Sequence, residues 1–124
     1  MKKPVSTEKA PAAIGPYSQA IVRGDAVYVS GQLPIDPKTG QMPDRAADQA
    51  RQSLENVKAI LEAAGSSMGK VLRVGIFMTD LADFGAVNEV YATFLPEPFP
   101  ARSTVQVAAL PKGAKIEIEA VAGL

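Results

Sequence analysis

A stripe of apolar side chains at helical spacing in the middle of the chain constrains its fold most. Across residues 44–64, apolar residues recur at steps of three and four, as on one face of an α-helix; they are Ala47, Ala50, Leu54, Val57, Leu61 and Ala64. Asp44 is expected to cap the start of this helix, and Gly65 to supply the left-handed residue that ends it. A helix with one apolar face must pack against a second layer.

Strand-type runs lie on both sides of that helix. Before it, residues 17–22 and 27–32 are rich in β-forming side chains and are joined by a short turn, in which Gly24 and Asp25 can take a positive φ. After it, residues 70–79 read as a third strand. The chain therefore predicts a sheet as the second layer.

The C-terminal half continues the mixture of helix and strand. Asp83 is expected to cap a second helix, whose apolar stripe is Phe84, Val87, Tyr91 and Phe94. Prolines at 96, 98 and 100 end it, and strands are predicted at residues 103–108 and 115–122. The order ββ, α, β, α, ββ predicts an α+β fold for a single domain of residues 1–124, a mixed sheet of about five strands with two helices on one face.

The strand at residues 70–79 carries apolar side chains on both faces. One face has Leu72, Val74, Ile76 and Met78, and the other includes Val71 and Phe77. Two helices cover only one face of a sheet, so the second face must meet another protein surface. The sequence predicts a homo-oligomer assembled sheet to sheet.

The composition excludes several classes of chemistry. The chain has no histidine and no cysteine, so triads with an imidazole base, thiol nucleophiles and thiolate metal sites are absent, and acid–base work falls to Asp, Glu, Lys, Tyr or water. Its 13 basic and 13 acidic residues give no electrostatic case for nucleic acid or a membrane surface. No signal peptide, membrane span or metal site is predicted, and a cytoplasmic location is expected.

The charged residues near the C-terminus are the candidates for chemistry. Arg102 follows a proline-rich loop that fixes its approach, and a guanidinium held in this way binds a carboxylate through two hydrogen bonds. The alternative is a surface arginine paired with a neighbouring acid. Glu117 and Glu119 alternate with apolar residues, so both point to one face of the last strand. If that face is covered in an oligomer, at least one glutamate is partly desolvated; if it meets solvent, both are ordinary.

Seven short segments spread over nearly the whole chain carry a family resemblance. They are residues 14–20 (IGPYSQA), 30–34 (SGQLP), 36–40 (DPKTG), 52–57 (QSLENV), 80–84 (DLADF), 100–103 (PARS) and 116–120 (IEIEA). Together they resemble the RidA family of reactive-intermediate deaminases, also called the YjgF-type family. The arginine signature, followed by a glutamate between two isoleucines, is its most specific part.

The resemblance implies a fold, an assembly and an activity. Members have a chorismate-mutase-like α+β fold and form homotrimers with three clefts between neighbouring subunits. They hydrolyse 2-imino acids, or the 2-enamine tautomers, to 2-oxo acids and ammonia, which protects pyridoxal-phosphate enzymes from these intermediates. No metal or organic cofactor, nucleic acid or membrane partner is implied.

The resemblance also assigns roles to individual residues. Arg102 would bind the substrate carboxylate, and Glu117 would position or activate the attacking water. Tyr17 would line the pocket and hydrogen-bond near the reacting nitrogen. Ser30 and Gly31 would form its wall through side-chain and backbone contacts.

Two further residues are assigned to substrate binding, and one region departs from the family. Asn88 would support the cleft from the second helix. Thr104 would contribute its backbone carbonyl, a role that does not depend on the cysteine that many relatives have at that position. The connection at residues 95–99 looks shorter and richer in proline than in typical members. It borders Arg102, so pocket size and substrate preference are open.

Two other functions compete with the deaminase. One is a non-catalytic module of the same fold that binds small carboxylates or protein partners, as a regulator or a holdase chaperone. The other is a ribonuclease or translation inhibitor, against which stand the zero net charge, the absence of histidine and the lack of a basic stripe with interleaved aromatic residues. The presence of both Arg102 and Glu117 favours the enzyme.

Overall fold

The computed structural model describes residues 1–124 as six strands and two α-helices. The helices are α1 (Ala46–Ala63) and α2 (Phe84–Ala92). The strands are β1 (Lys3–Val5), β2 (Ala20–Arg23), β3 (Ala26–Gln32), β4 (Val71–Met78), β5 (Ala101–Gln106) and β6 (Ile116–Gly123). The predicted α+β fold, with one mixed sheet and two helices, is confirmed.

All six strands form one sheet in the order β1-β2-β3-β6-β4-β5. Neighbouring strands are antiparallel except β4 and β5, which are parallel because α2 connects them. The expectation of about five strands missed β1, which pairs with β2 at the sheet edge, Lys3 opposite Val22. A three-residue strand with a proline at its centre has too little alternation to be read from sequence, and an edge position tolerates that proline.

The hydrophobic core lies between the sheet and the helices. α1 packs on β3 and β6, and α2 packs beside α1. From α1 the core takes the predicted residues Ala50, Leu54, Val57 and Leu61, together with Ile60, all with at most 1% of their surface exposed. Ile116 and Ile118 of β6 are fully buried beneath them. This side of the sheet is therefore closed.

The helix ends differ from the predicted caps. α1 begins at Ala46, and no side chain caps it, so the capping role given to Asp44 is wrong. Asp83 makes no capping hydrogen bond either; instead Asp80 accepts one from the Ala82 amide at 2.9 Å, because a short 3₁₀ turn precedes α2. The prediction for Gly65 is confirmed, with φ +86° after the helix.

Four strand details also differ from the sequence expectations. A bulge between Val71 and Arg73 turns Leu72 outward and leaves it 59% exposed, so its predicted place on the same face as the buried Val74 is wrong. In the hairpin turn only Gly24 has a positive φ, and Asp25 does not. The first hairpin strand starts at residue 20 rather than 17, and β5 starts at residue 101 rather than 103. Tyr17 therefore lies in a loop.

The second face of the sheet is not covered by either helix. Tyr28 of β3 and Val105 of β5 are about half exposed there, and Phe77 of β4, which pairs with Val105, is only partly buried. An apolar face of this kind fits the predicted contact with a second copy of the chain. Neither α1 nor α2 has the length and apolar character of a membrane-spanning helix.

Candidate functional site

Arg102 lies on the helix side of the edge strand β5. It pairs in register with buried Val74, and its guanidinium reaches α2. Its Nη1 donates a hydrogen bond to Asn88 Oδ1 at 2.7 Å. The guanidinium carbon also lies 4.6 Å from the centre of the Tyr91 ring and 5.3 Å from that of Phe84. Three side chains of one helix thus fix its direction.

No acidic side chain of the chain neutralises Arg102. The one ion pair in the structure joins Arg45 and Asp48, 3.8 Å apart at the exposed start of α1. The alternative of a surface arginine paired with a neighbouring acid is therefore wrong. The Arg102 guanidinium keeps its full charge and its remaining N–H donors, which is the state that a carboxylate ligand requires.

Two hydroxyl groups on this side of β5 are buried without hydrogen-bond partners. They belong to Tyr91 and Thr104. Burial raises the pKa of Tyr91, and the positive charge of the nearby Arg102 guanidinium opposes that rise. Thr104 lies two residues after Arg102, so its side chain is on the same face of β5.

Glu117 and Glu119 lie on the other face of the sheet. The alternation predicted for β6 is confirmed, because Ile116, Ile118 and Ala120 are buried beneath the helices while the glutamates point away from them. Burial raises the pKa of Glu117, and the like charge of Glu119 raises it further. One glutamate is thus partly desolvated even in the single chain.

Gly31 is packed against the Glu117 carboxylate. A Cβ at position 31 would lie 2.7 Å from Glu117 Oε2 and 2.9 Å from its Cδ, closer than real Cβ atoms come. Only glycine therefore lets the carboxylate occupy this place between β3 and β6. The packing of Glu117 thus requires glycine at position 31 for a reason beyond strand geometry.

A cleft of about 830 Å³ opens beside this glutamate. Among its lining residues are Tyr17, Ser30, Gly31, Lys112 and Glu117. The Tyr17 side chain is 53% exposed. The Ser30 hydroxyl donates a hydrogen bond to the Ser18 carbonyl at 2.6 Å, so Ser30 holds the loop that carries Tyr17. Four of the predicted site residues are thus brought together in one cleft.

Within a single chain, the predicted residues form two separate groups. Arg102, Asn88 and Thr104 lie on the helix side of β5, and the group around Glu117 lies on the opposite face. Strand β4 separates β5 from β6, so Arg102 does not reach the cleft of its own chain. No three carboxylates lie close enough together to hold a metal ion.

Two buried amides that the sequence analysis missed support the rims of the cleft. Gln19 accepts a hydrogen bond from the Thr7 amide at 2.7 Å and donates to the Pro11 carbonyl at 2.7 Å. Asn56 of α1 donates to the carbonyls of Leu33 and Ile35, each at 3.0 Å. Asn56 lies on the apolar side of the predicted helix, and a polar residue in that position could have indicated that its side chain bonds to buried backbone groups.

Comparison with known proteins gives a consistent set of relatives. A family model described as endoribonuclease L-PSP matches residues 7–124. A protein of Escherichia coli K12 named 2-iminobutanoate/2-iminopropanoate deaminase is 54% identical over 98% of this chain and 98% of its own. A Salmonella typhimurium protein of the same name is 55% identical with the same coverage.

Solved structures share this fold over nearly the full length of the chain. RidA from an Antarctic Psychrobacter has a TM-score of 0.95 and 50% identity, covering 98% of this chain and 99% of that one. TdcF of E. coli with bound serine has a TM-score of 0.94 and 50% identity, covering 98% of each chain.

Proposed function

The chain belongs to the endoribonuclease L-PSP family, the RidA or YjgF-type family of its sequence resemblance, and we propose that it hydrolyses 2-imino acids. It is an imine deaminase that converts 2-iminobutanoate and 2-iminopropanoate, or their 2-enamine tautomers, to 2-oxo acids and ammonia. By removing these intermediates it protects pyridoxal-phosphate enzymes. The connection at residues 95–99 borders Arg102 and bears on which imino acid is preferred.

The observation that carries this proposal is the state of Arg102. Its guanidinium is oriented by Asn88 and two aromatic rings, yet no acid of the chain neutralises it. Every 2-imino acid has a carboxylate next to the reacting carbon, and a fixed guanidinium would bind that carboxylate through two hydrogen bonds. TdcF of E. coli, which shares this fold, binds serine, a small molecule with the same group.

Glu117 would position the attacking water and accept and return its protons. A protonated imine carbon is strongly electrophilic, so water adds to it, and the C=N electron pair moves onto nitrogen while one water proton passes to Glu117. Glu117 returns this proton to nitrogen, ammonia leaves as the C–N bond breaks, and the hydroxyl proton passes to Glu117, which leaves the 2-oxo acid. The raised pKa of Glu117 suits a group that must both take and return a proton. Tyr17 would hydrogen-bond near the reacting nitrogen.

The active site would be completed between two copies of the chain. The carboxylate-binding group at Arg102 and the proton-handling group at Glu117 lie on opposite faces of one sheet, and a substrate of a few atoms cannot reach both. The uncovered sheet face supplies apolar surface for the contact. We propose the homotrimer of the family, with Asn88 and the Thr104 backbone carbonyl on the Arg102 side of each site. Sedimentation giving a 13 kDa species at micromolar concentration would contradict this assembly.

The activity is tested by the lifetime of an imine. An amino-acid oxidase or threonine dehydratase generates the imino acid, and semicarbazide traps what persists. Wild-type protein should lower the trapped amount, and Arg102→Ala should not, although it remains folded. Ligand binding or suppression of aggregation without turnover would support instead the non-catalytic module.

The name of the family model raises ribonuclease activity as an alternative. RNA binding needs a basic surface with stacking side chains, and this chain has zero net charge and no histidine. The ribonuclease assignment therefore has no support from its residues. A cytoplasmic location and the absence of a cofactor stay predictions.

A further inference from the structure

Three residues of α2 face the Arg102 guanidinium at helical spacing. Phe84, Asn88 and Tyr91 are four and three positions apart, so they form one row along the helix. Each contacts the same guanidinium, the two aromatic residues through their ring faces and Asn88 through one hydrogen bond. The α2 surface beside β5 is therefore built around this one side chain.

The two aromatic rings hold the guanidinium without occupying its N–H donors, which a polar side chain in the same place would occupy. The face of an aromatic ring attracts a cation through its quadrupole and takes up none of the in-plane N–H donors. Asn88 occupies only Nη1. An acid in the same place would hold the guanidinium equally well, but it would cancel the charge and occupy the donors that a substrate carboxylate needs.

We propose that Tyr91 and Phe84 are positioning residues that hold Arg102 ready for a carboxylate, an inference that rests on the proposed function. Tyr91 contributes more, because its ring is nearer, 4.6 Å against 5.3 Å, and only 6% of its surface is exposed. Its contribution comes from the ring rather than the hydroxyl, which makes no normal hydrogen bond. Removing the ring should weaken the binding of carboxylates without changing the chemical step.

The test compares Tyr91→Leu, Phe84→Leu and Tyr91→Phe with wild type. A partly buried cation–π contact changes a binding constant by about two- to thirtyfold. Tyr91→Leu should raise KM for 2-iminobutanoate, and Kd for the product 2-oxobutanoate measured by calorimetry, by about tenfold, while kcat stays within about threefold. Phe84→Leu should have a smaller effect of the same kind. Tyr91→Phe keeps the ring and should restore both constants to within about twofold.

Val90→Ala is the matched control for a merely structural role. Val90 is buried in the same helix, next to Tyr91, and lies outside the row formed by Phe84, Asn88 and Tyr91. The variant should lower the unfolding temperature and leave Kd for 2-oxobutanoate unchanged. If Val90→Ala raised Kd as much as Tyr91→Leu, or if folded Tyr91→Leu bound 2-oxobutanoate like wild type, the positioning role would be wrong.

A spectroscopic measurement separates this inference from the proposed function. The Arg102 Nε–H proton should show a ring-current shift in the NMR spectrum of ligand-free wild type, and that shift should shrink in Tyr91→Leu but persist in Tyr91→Phe. A wild type without imine hydrolysis would overturn the deaminase while this signal still reported on the stacking. An unshifted resonance in wild type would overturn the stacking whatever the activity.

Discussion

Replacing Gly31 by alanine adds one methyl group next to the Glu117 carboxylate and so tests the role of that carboxylate. The backbone at Gly31 is outside the left-handed region, so alanine carries no conformational penalty there. The new Cβ would lie 2.7 Å from Glu117 Oε2, where ordinary contact begins near 3.4 Å. The carboxylate must therefore move by about 0.7 Å.

The size of that displacement sets the expected loss of activity. A misplacement of about 1 Å can cost a catalytic group about a hundredfold in rate. Gly31→Ala should therefore lower kcat for 2-iminobutanoate by about ten- to hundredfold, which corresponds to about 1.4–2.7 kcal/mol of transition-state stabilisation. Because the Arg102 group is untouched, Kd for 2-oxobutanoate should change by less than about threefold.

The assay is the semicarbazide trap at saturating imino acid, with Gly75→Ala as control. A Cβ on Gly75 would lie 3.0 Å from Cγ and Oε2 of Glu119, so this variant strains the neighbouring glutamate in a similar way. Its kcat should stay within about threefold of wild type. A wild-type kcat in Gly31→Ala, or an equal loss in Gly75→Ala, would refute the role given to the Glu117 carboxylate.

Three further substitutions test the electrostatics and burial of the site. Glu117→Gln should raise the free energy of unfolding at neutral pH, because the raised pKa of Glu117 means that folding disfavours its ionised carboxylate. In urea titrations, the difference between variant and wild type should vanish as the pH falls and the wild-type carboxylate becomes protonated. Glu119→Gln removes the like charge, so the acid limb of the kcat/KM profile should move to lower pH; an unmoved limb would mean that another group controls it. Thr104→Val removes a buried hydroxyl that has no partner, so the free energy of unfolding should rise by about 1 kcal/mol and kcat should stay within about twofold; a loss of activity would mean that the hydroxyl, not the backbone carbonyl, contacts substrate.

Most of the fold could be predicted because its elements are long and strongly patterned. The stripe of α1 and the alternation of β6 both appear in the structure as the sequence indicates. The errors fall where local rules compete with tertiary contacts. The bulge at Leu72 shifts a strand by one residue, and strand β1 exists only because β2 lies beside it.

The candidate site residues were named from the sequence and stay predictions, but their division into two groups could not be foreseen. Sequence spacing does not show that the Arg102 side chain points toward α2 and the Glu117 side chain points away from the helices. These directions depend on which face of the sheet the helices cover. The supporting amides of Gln19 and Asn56 were missed since their partners are backbone groups up to 23 positions away. The Gly31 contact likewise arises only when β3 and β6 pair.

Mixing two inactive variants tests the shared active site most directly. Arg102→Ala keeps an intact Glu117 group, and Glu117→Gln keeps an intact Arg102 group. In a cyclic assembly refolded from equal amounts of both, about one quarter of the sites should combine the two intact groups, so about a quarter of the wild-type rate of imine removal should return. No activity above that of the separate variants, with wild type recovering fully from the same treatment, would contradict a site built from two copies of this chain.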